Sequence, residues 1–143
     1  MATLQVELVA VERKIWSGEA RMVIARTTEG ELGVLPHHAP LVSMLGVGEL
    51  RIRKGGAEES FAIVGGFLQV RPDKVVVMAE TADLASEIDL EKAQAARREA
   101  EQALESGYVE GADLSAARAQ LQQALLRIRV AERRHREGPR RRG

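Results

Sequence analysis

The stretch Lys74-Val75-Val76-Val77-Met78-Ala79-Glu80-Thr81-Ala82-Asp83-Leu84-Ala85-Ser86-Glu87-Ile88-Asp89-Leu90-Glu91-Lys92-Ala93 decides the fold. Its first part is a short apolar run preceded by the turn signal Arg71-Pro72-Asp73, as a strand requires. Its second part opens with Asp89, whose carboxylate is suited to accept from amides one turn on. Alanines at helical spacing follow: Ala93, Ala96, Ala100 and Ala103. The apolar period therefore changes from two to 3.6 near Ser86.

Upstream of that point, short apolar runs alternate with turn signals. Leu4, Val6, Leu8 and Ala10 lie two apart, on one face of a strand. Ala20–Thr27 repeats the pattern through Met22 and Ile24, and Leu32–Leu35, Val42–Leu45, Glu49–Arg53, Ser60–Val64, Phe67–Arg71 and Lys74–Glu80 continue it. Glu29-Gly30, Lys54-Gly55-Gly56, Gly65-Gly66 and Arg71-Pro72-Asp73-Lys74 read as tight reversals. No helical pattern separates the runs, so βαβ winding is not expected. The reading is α+β: an N-terminal antiparallel β-sandwich of about eight to ten short strands over residues 1–86.

Downstream, Asp89 caps a helix that Ser106-Gly107 stops. Asp113 is placed to cap a second, in which Leu114, Ala117, Leu121, Ala124, Ile128 and Ala131 keep a 3,4,3,4 seam until Gly138-Pro139. Residues 87–137 are thus an antiparallel two-helix hairpin. Each Ala in place of Leu removes about three carbons, at roughly 0.8 kcal/mol per buried carbon, yet has the best helix propensity. Stable helices with a thin mutual contact are the expected result, and such a hairpin could leave its own sandwich. The remaining residues, 138–143, form a basic tail expected to be disordered.

The chain has 143 residues, 21 basic and 21 acidic side chains and no cysteine. A disulfide framework, a thiol nucleophile and a cysteine zinc site are therefore excluded. Apolar runs such as Val75–Ala79 fall far short of the ~20 residues of a membrane span. Glu7 and Glu12 interrupt any leader-like stretch, so a soluble protein retained where it is made is expected. Charge is uneven: eight arginines lie in 127–143 against Glu132 and Glu137, a terminus suited to a negative partner.

Catalytic constellations are absent from the pattern. His37 and His38 are adjacent and diverge in an extended segment, and His135 is distant, so no metal-ligand spacing results. There is no phosphate-binding loop, and Gly46-Val47-Gly48 lacks the third glycine of a dinucleotide fingerprint. Ser43 and Ser60 have no evident base. The chain reads as a non-enzyme with no required cofactor and no metal.

Two segments carry a resemblance: Glu29-Gly30-Glu31-Leu32-Gly33-Val34-Leu35-Pro36-His37-His38-Ala39-Pro40-Leu41, and Gly65-Gly66-Phe67-Leu68-Gln69-Val70 with Val75–Ala79 after it. They closely resemble the epsilon subunit of bacterial F-type, proton-translocating ATP synthases, and Val130-Ala131-Glu132 looks like the end of that family's second helix. The match runs from residue 1 to about 136. One departure is His37, where the family usually has glycine. The resemblance implies a non-catalytic central-stalk subunit that couples proton flow through the membrane c-ring to ATP synthesis in the catalytic head. It implies a sandwich that binds the gamma subunit and sits on the c-ring through Glu29, Glu31 and His38. It implies a hairpin that regulates or inhibits ATP hydrolysis, with Arg127, Arg129, Arg133, Arg134 and Arg136 meeting the alpha and beta subunits when extended. Localisation would be peripheral, at the cytoplasmic face of the cell membrane, with membrane contact only through the complex.

Some members of that family bind ATP on the folded hairpin through [IL]-D-x-x-R-A. Here Ile88, Asp89, Lys92 and Ala93 match that motif, with Arg127 at a basic family position and Gln123 at another. Lys92 keeps the charge of the usual arginine and loses its planar fork, so ATP is expected as a weak regulatory ligand. The competing reading is a stand-alone β-sandwich module with an Arg-rich helix that binds nucleic acid. Against it stand a slightly acidic sandwich and only 3% aromatic residues for base stacking, so no nucleic-acid partner is expected.

Overall fold

The computed structural model of the protein describes residues 2–11, 13–107 and 114–137, with side chains through Arg134. Eight strands make up the N-terminal half: β1 Leu4–Ala10, β2 Arg13–Ala20, β3 Met22–Thr27, β4 Gly30–Val34, β5 Leu41–Met44, β6 Val47–Arg53, β7 Glu58–Val70 and β8 Lys74–Leu84. They hydrogen-bond in the order β2-β1-β8-β7-β6-β3-β4, with β5 also on β7. The sheet bends over itself and encloses Leu4, Val6, Leu8, Leu50, Ile52, Phe61, Leu68 and Val75, each at most 2% exposed. A 3-10 turn, Ala85–Glu87, leads into α1 Leu90–Ser106 and α2 Leu114–Glu137. The sandwich-plus-hairpin architecture is as the two periods predict.

Three details differ from the sequence reading. First, β1 and β8 pair in parallel, from Gln5↔Lys74 to Ala10↔Ala79, while every other strand pair is antiparallel. Second, Arg13–Ala20 forms a strand that the sequence reading lacks; Ala20 ends it and the chain turns before Met22, so Ala20–Thr27 is not one strand. Third, Ser60–Val64 and Phe67–Arg71 are not separate strands: β7 runs through Gly65-Gly66 without reversing. Its first part pairs with β6 and its last four residues with β5. Gly65 and Gly66 have φ of 67° and 116°, a bend within a strand. A side chain on Gly66 would strike the Met78 carbonyl and lie 2.8 Å from Ala79 Cα. Glycine is there because β8 passes so close.

Asp89 caps α1 as expected, accepting from the Lys92 amide at 3.1 Å. Gly107 closes it in the left-handed conformation. The seam between the helices is small: Ala93 and Ala100 are buried on α1, and Ala117, Ala124 and Ile128 on α2. Ala96 is exposed, because an α-helix drifts off a strict stripe. Asp113, the interhelix loop, the Arg136 side chain and the 138–143 tail lie outside the described residues.

The hairpin rests on the sandwich through α2. Leu126 and Val130, each 1% exposed, pack on Ala62 and Ala85, with Val47 and Ile88 at the edge. This patch is separate from the sandwich core. Two aliphatic side chains therefore supply the apolar part of docking, about 2 kcal/mol each.

Candidate functional site

Where the hairpin meets the sandwich, a cleft of about 480 Å³ opens. The end of β8 contributes Asp83, the turn Glu87, the cap region Ile88 and Asp89, α1 Lys92, Ala93, Ala96 and Glu99, and α2 Gln120, Gln123, Ala124 and Arg127. The five residues of the nucleotide motif reading, Ile88, Asp89, Lys92, Ala93 and Arg127, thus line one cavity although Arg127 lies more than thirty positions downstream of the other four. The small side chains of Ala93 and Ala96 leave the space. Arg127 Nε donates to Asp83 Oδ2 at 2.8 Å, which fixes the guanidinium at the cleft while its other N–H groups keep donor capacity. Four carboxylates and two cations face the cavity. Polyphosphate oxygens suit Lys92 and Arg127, and the carboxylates and glutamines suit the amine and ring edges of a base.

A second polar contact holds the far part of α2. Arg133 donates to Glu49 through Nε at 3.1 Å and also through Nη2, which donates to Ser60 Oγ at 2.8 Å as well. The same nitrogen stands 3.5 Å from Glu58 Oε1. Glu58 is 9% exposed and accepts from Arg53 Nε at 2.9 Å. Burial alone would raise its pKa, but the Arg53 hydrogen bond and the charges of Arg51, Arg133 and Arg53 hold it below the ordinary carboxylate value. Asp83, Glu49 and Ser60 escape sequence reasoning, because their partners lie 44 to 84 residues away. Of the other predicted arginines, Arg129 is exposed and Arg134 half-buried.

The loop residues do not form one cluster. Glu29 sits in the β3–β4 turn, its amide donating to Thr27 Oγ1 at 3.1 Å. Glu31 lies exposed on β4 opposite Arg26. His38 lies past the other end of β4, about 17 Å along the strand at ~3.4 Å per residue. There His37 adopts φ of 70°, the left-handed conformation glycine would take. Its amide donates to Pro72 O at 2.7 Å, and that of His38 to Leu35 O at 3.2 Å, so two backbone hydrogen bonds hold the turn with His37 in it.

On the outside of the sheet, Met44, Phe67 and Met78 stand in register across β5, β7 and β8. They are 51–57% exposed, with Val42 beside them at 67%. A contiguous exposed apolar row of this kind is a candidate contact surface. Sequence reading takes these residues as ordinary strand positions; the signal lies in adjacent apolar residues on the outward face.

Two family models cover nearly the whole chain: the ATP synthase delta/epsilon chain beta-sandwich domain matches residues 3–85, and the corresponding long alpha-helix domain matches residues 86–132. The chain belongs to the ATP synthase delta/epsilon family. An ATP synthase epsilon chain of Dehalococcoides mccartyi is 44% identical over 134 residues, 94% of this chain and 96% of the relative. That of Halalkalibacterium halodurans is 44% identical over 133 residues, 93% and 100% of the two chains. A chain from the Euglena gracilis mitochondrial ATP synthase (the OSCP/F1/c-ring assembly) superposes with TM-score 0.72 at 29% identity, covering 93% of this chain and 81% of that one. A chain from the Tetrahymena thermophila mitochondrial ATP synthase central stalk and c-ring shares the fold, with TM-score 0.56 at 16% identity over 91% and 94%. As a delta/epsilon chain, the protein is a non-catalytic part of the ATP synthase complex, and the nucleic-acid module reading is not supported. Among the described residues, no helix is long and apolar enough to cross a membrane.

Proposed function

We propose that the chain works in the central stalk as a rotor subunit with a regulatory hairpin, peripheral to the cytoplasmic face of the membrane. The Met44–Phe67–Met78 row offers the gamma subunit an apolar seat. Glu29 and Glu31 at one end of β4, and His38 beyond the other, are the polar contacts for the c-ring. The single observation that carries the regulatory reading is how α2 is held: a small apolar patch flanked by Arg127–Asp83 and Arg133–Glu49/Glu58. These polar holds exchange readily for other carboxylates. Once α2 leaves, Arg127, Arg129, Arg133, Arg134 and Arg136 become a cationic edge for acidic surfaces of the alpha and beta subunits, and ATP hydrolysis is blocked. ATP in the cleft of Ile88, Asp89, Lys92, Ala93 and Arg127 favours the docked hairpin, because it bridges α1 and α2.

Deleting residues 127–143 should raise ATP hydrolysis by the assembled enzyme; unchanged hydrolysis would falsify the inhibitory role. Calorimetric titration of the chain with ATP tests the cleft. Heat that saturates and weakens in Arg127→Gln is expected, and no heat at millimolar ATP retires the site.

A further inference from the structure

Five arginines and three glutamates gather where the C-terminal half of α2 passes over β6. Arg53 pairs with Glu58, and Arg133 with Glu49 and Glu58. Arg26 on β3, Arg51 on β6 and Arg129 on α2 remain, lining a second, almost wholly polar cleft of about 390 Å³ with Glu31 and Glu49. Among the described residues, none of these three arginines makes an ion pair or a side-chain hydrogen bond. Counting Glu31, the cluster holds two more positive than negative charges. The cleft is shaped for this: the Arg26 stem lies across Gly48, where a side-chain carbon would sit 2.6 Å from Arg26 Cγ. Only glycine lets that arginine reach across β6.

We propose that this cleft binds a doubly charged phosphate-type oxyanion, and that the site is complete only when α2 is docked. Such an anion matches the charge surplus, and guanidinium forks from three elements suit its tetrahedral oxygens. Val47 and Gly48 are the only apolar residues in the lining, so the cleft offers no seat for acyl chains, and free phosphate is the source it fits. Because Arg129 comes from α2 and Arg26 and Arg51 from the sheet, bound anion holds the two halves together by linkage. The binding itself does not depend on the rotor reading.

The test is calorimetry of the full chain with inorganic phosphate at ionic strength held constant with chloride. Saturable binding is expected, weakened about tenfold or more by Arg51→Gln and by Arg129→Gln, and retained in Lys92→Gln, which alters the other cleft. Leu126→Asp, which unseats α2, should abolish it. Heat that never saturates, binding that survives both arginine variants, or binding lost only in Lys92→Gln overturns the proposal. So does undiminished binding in Leu126→Asp, or capture by phosphatidic acid vesicles with no response to free phosphate. All of these use the isolated chain, so their failure leaves the hydrolysis test of the rotor reading untouched.

Discussion

The sandwich and the hairpin are built from different materials. Inside the sandwich, Phe61, Leu4, Leu8, Leu50, Ile52 and Leu68 are all under 2% exposed and come from strands distant in sequence. Inside the hairpin the buried residues are mainly alanines, and its hold on the sandwich is Leu126, Val130 and two arginines. Side chains of that size store several kilocalories in the first region and little in the second. The lesson is that large buried side chains are concentrated in one half, whereas the other half is held to it by a small apolar patch supplemented by ion pairs.

The sharpest way to break the contrast is Phe61→Ala. It should cost about 3–5 kcal/mol of global stability, read as a lower denaturant midpoint, whereas Ala124→Ser in the helix seam should leave that midpoint nearly unchanged. Next in size is Arg133→Ala, which strips Glu49 and Ser60 of a partner and removes one from Glu58. It should weaken docking by about 1–2 kcal/mol, seen as faster amide exchange in α2 with the sandwich unaffected. An equal loss of protection in both halves would refute the separation.

Acid should act on the same contact. The folded-state pKa of Glu58 is lowered, so its contribution is fully present above the ordinary carboxylate value and is lost as pH falls through the lowered one. Exchange in α2 should therefore accelerate over that acidic window and stay flat near neutrality, and Glu58→Gln should remove the acid step. The smallest effect belongs to Arg127→Gln. Its pair with Asp83 is about a third exposed on one side and 42% on the other, so solvent screening leaves well under 1 kcal/mol, and its main consequence should be in nucleotide binding.

Local signals carried most of the architecture. Alternation at Leu4, Val6 and Leu8, the Asp89 cap and the seam from Leu114 to Ile128 each depend on neighbours a few residues away, and each reads correctly. What failed were features set by distant chain. Gly65-Gly66 has the composition of a reversal, yet the nearness of Met78 makes it a bend in one strand. The parallel pairing of β1 with β8 joins segments some seventy residues apart, and no hairpin rule reaches it. β2 hides because Ile15 and Trp16 are adjacent instead of alternating. The motif at Ile88–Ala93 points to residues that line the cleft between hairpin and sandwich, whereas Asp83 and the partners of Arg133 have no local signature at all.

Trp16, the sole tryptophan, lies on β2 with Lys54 Nζ 5.6 Å from its ring centre. That edge strand is separated from the seat of α2 by β1 and β8. Intrinsic indole emission is consequently an optical witness to the strands alone. Against it, a dye placed on the helices would report on them separately, with the strand signal as a built-in reference.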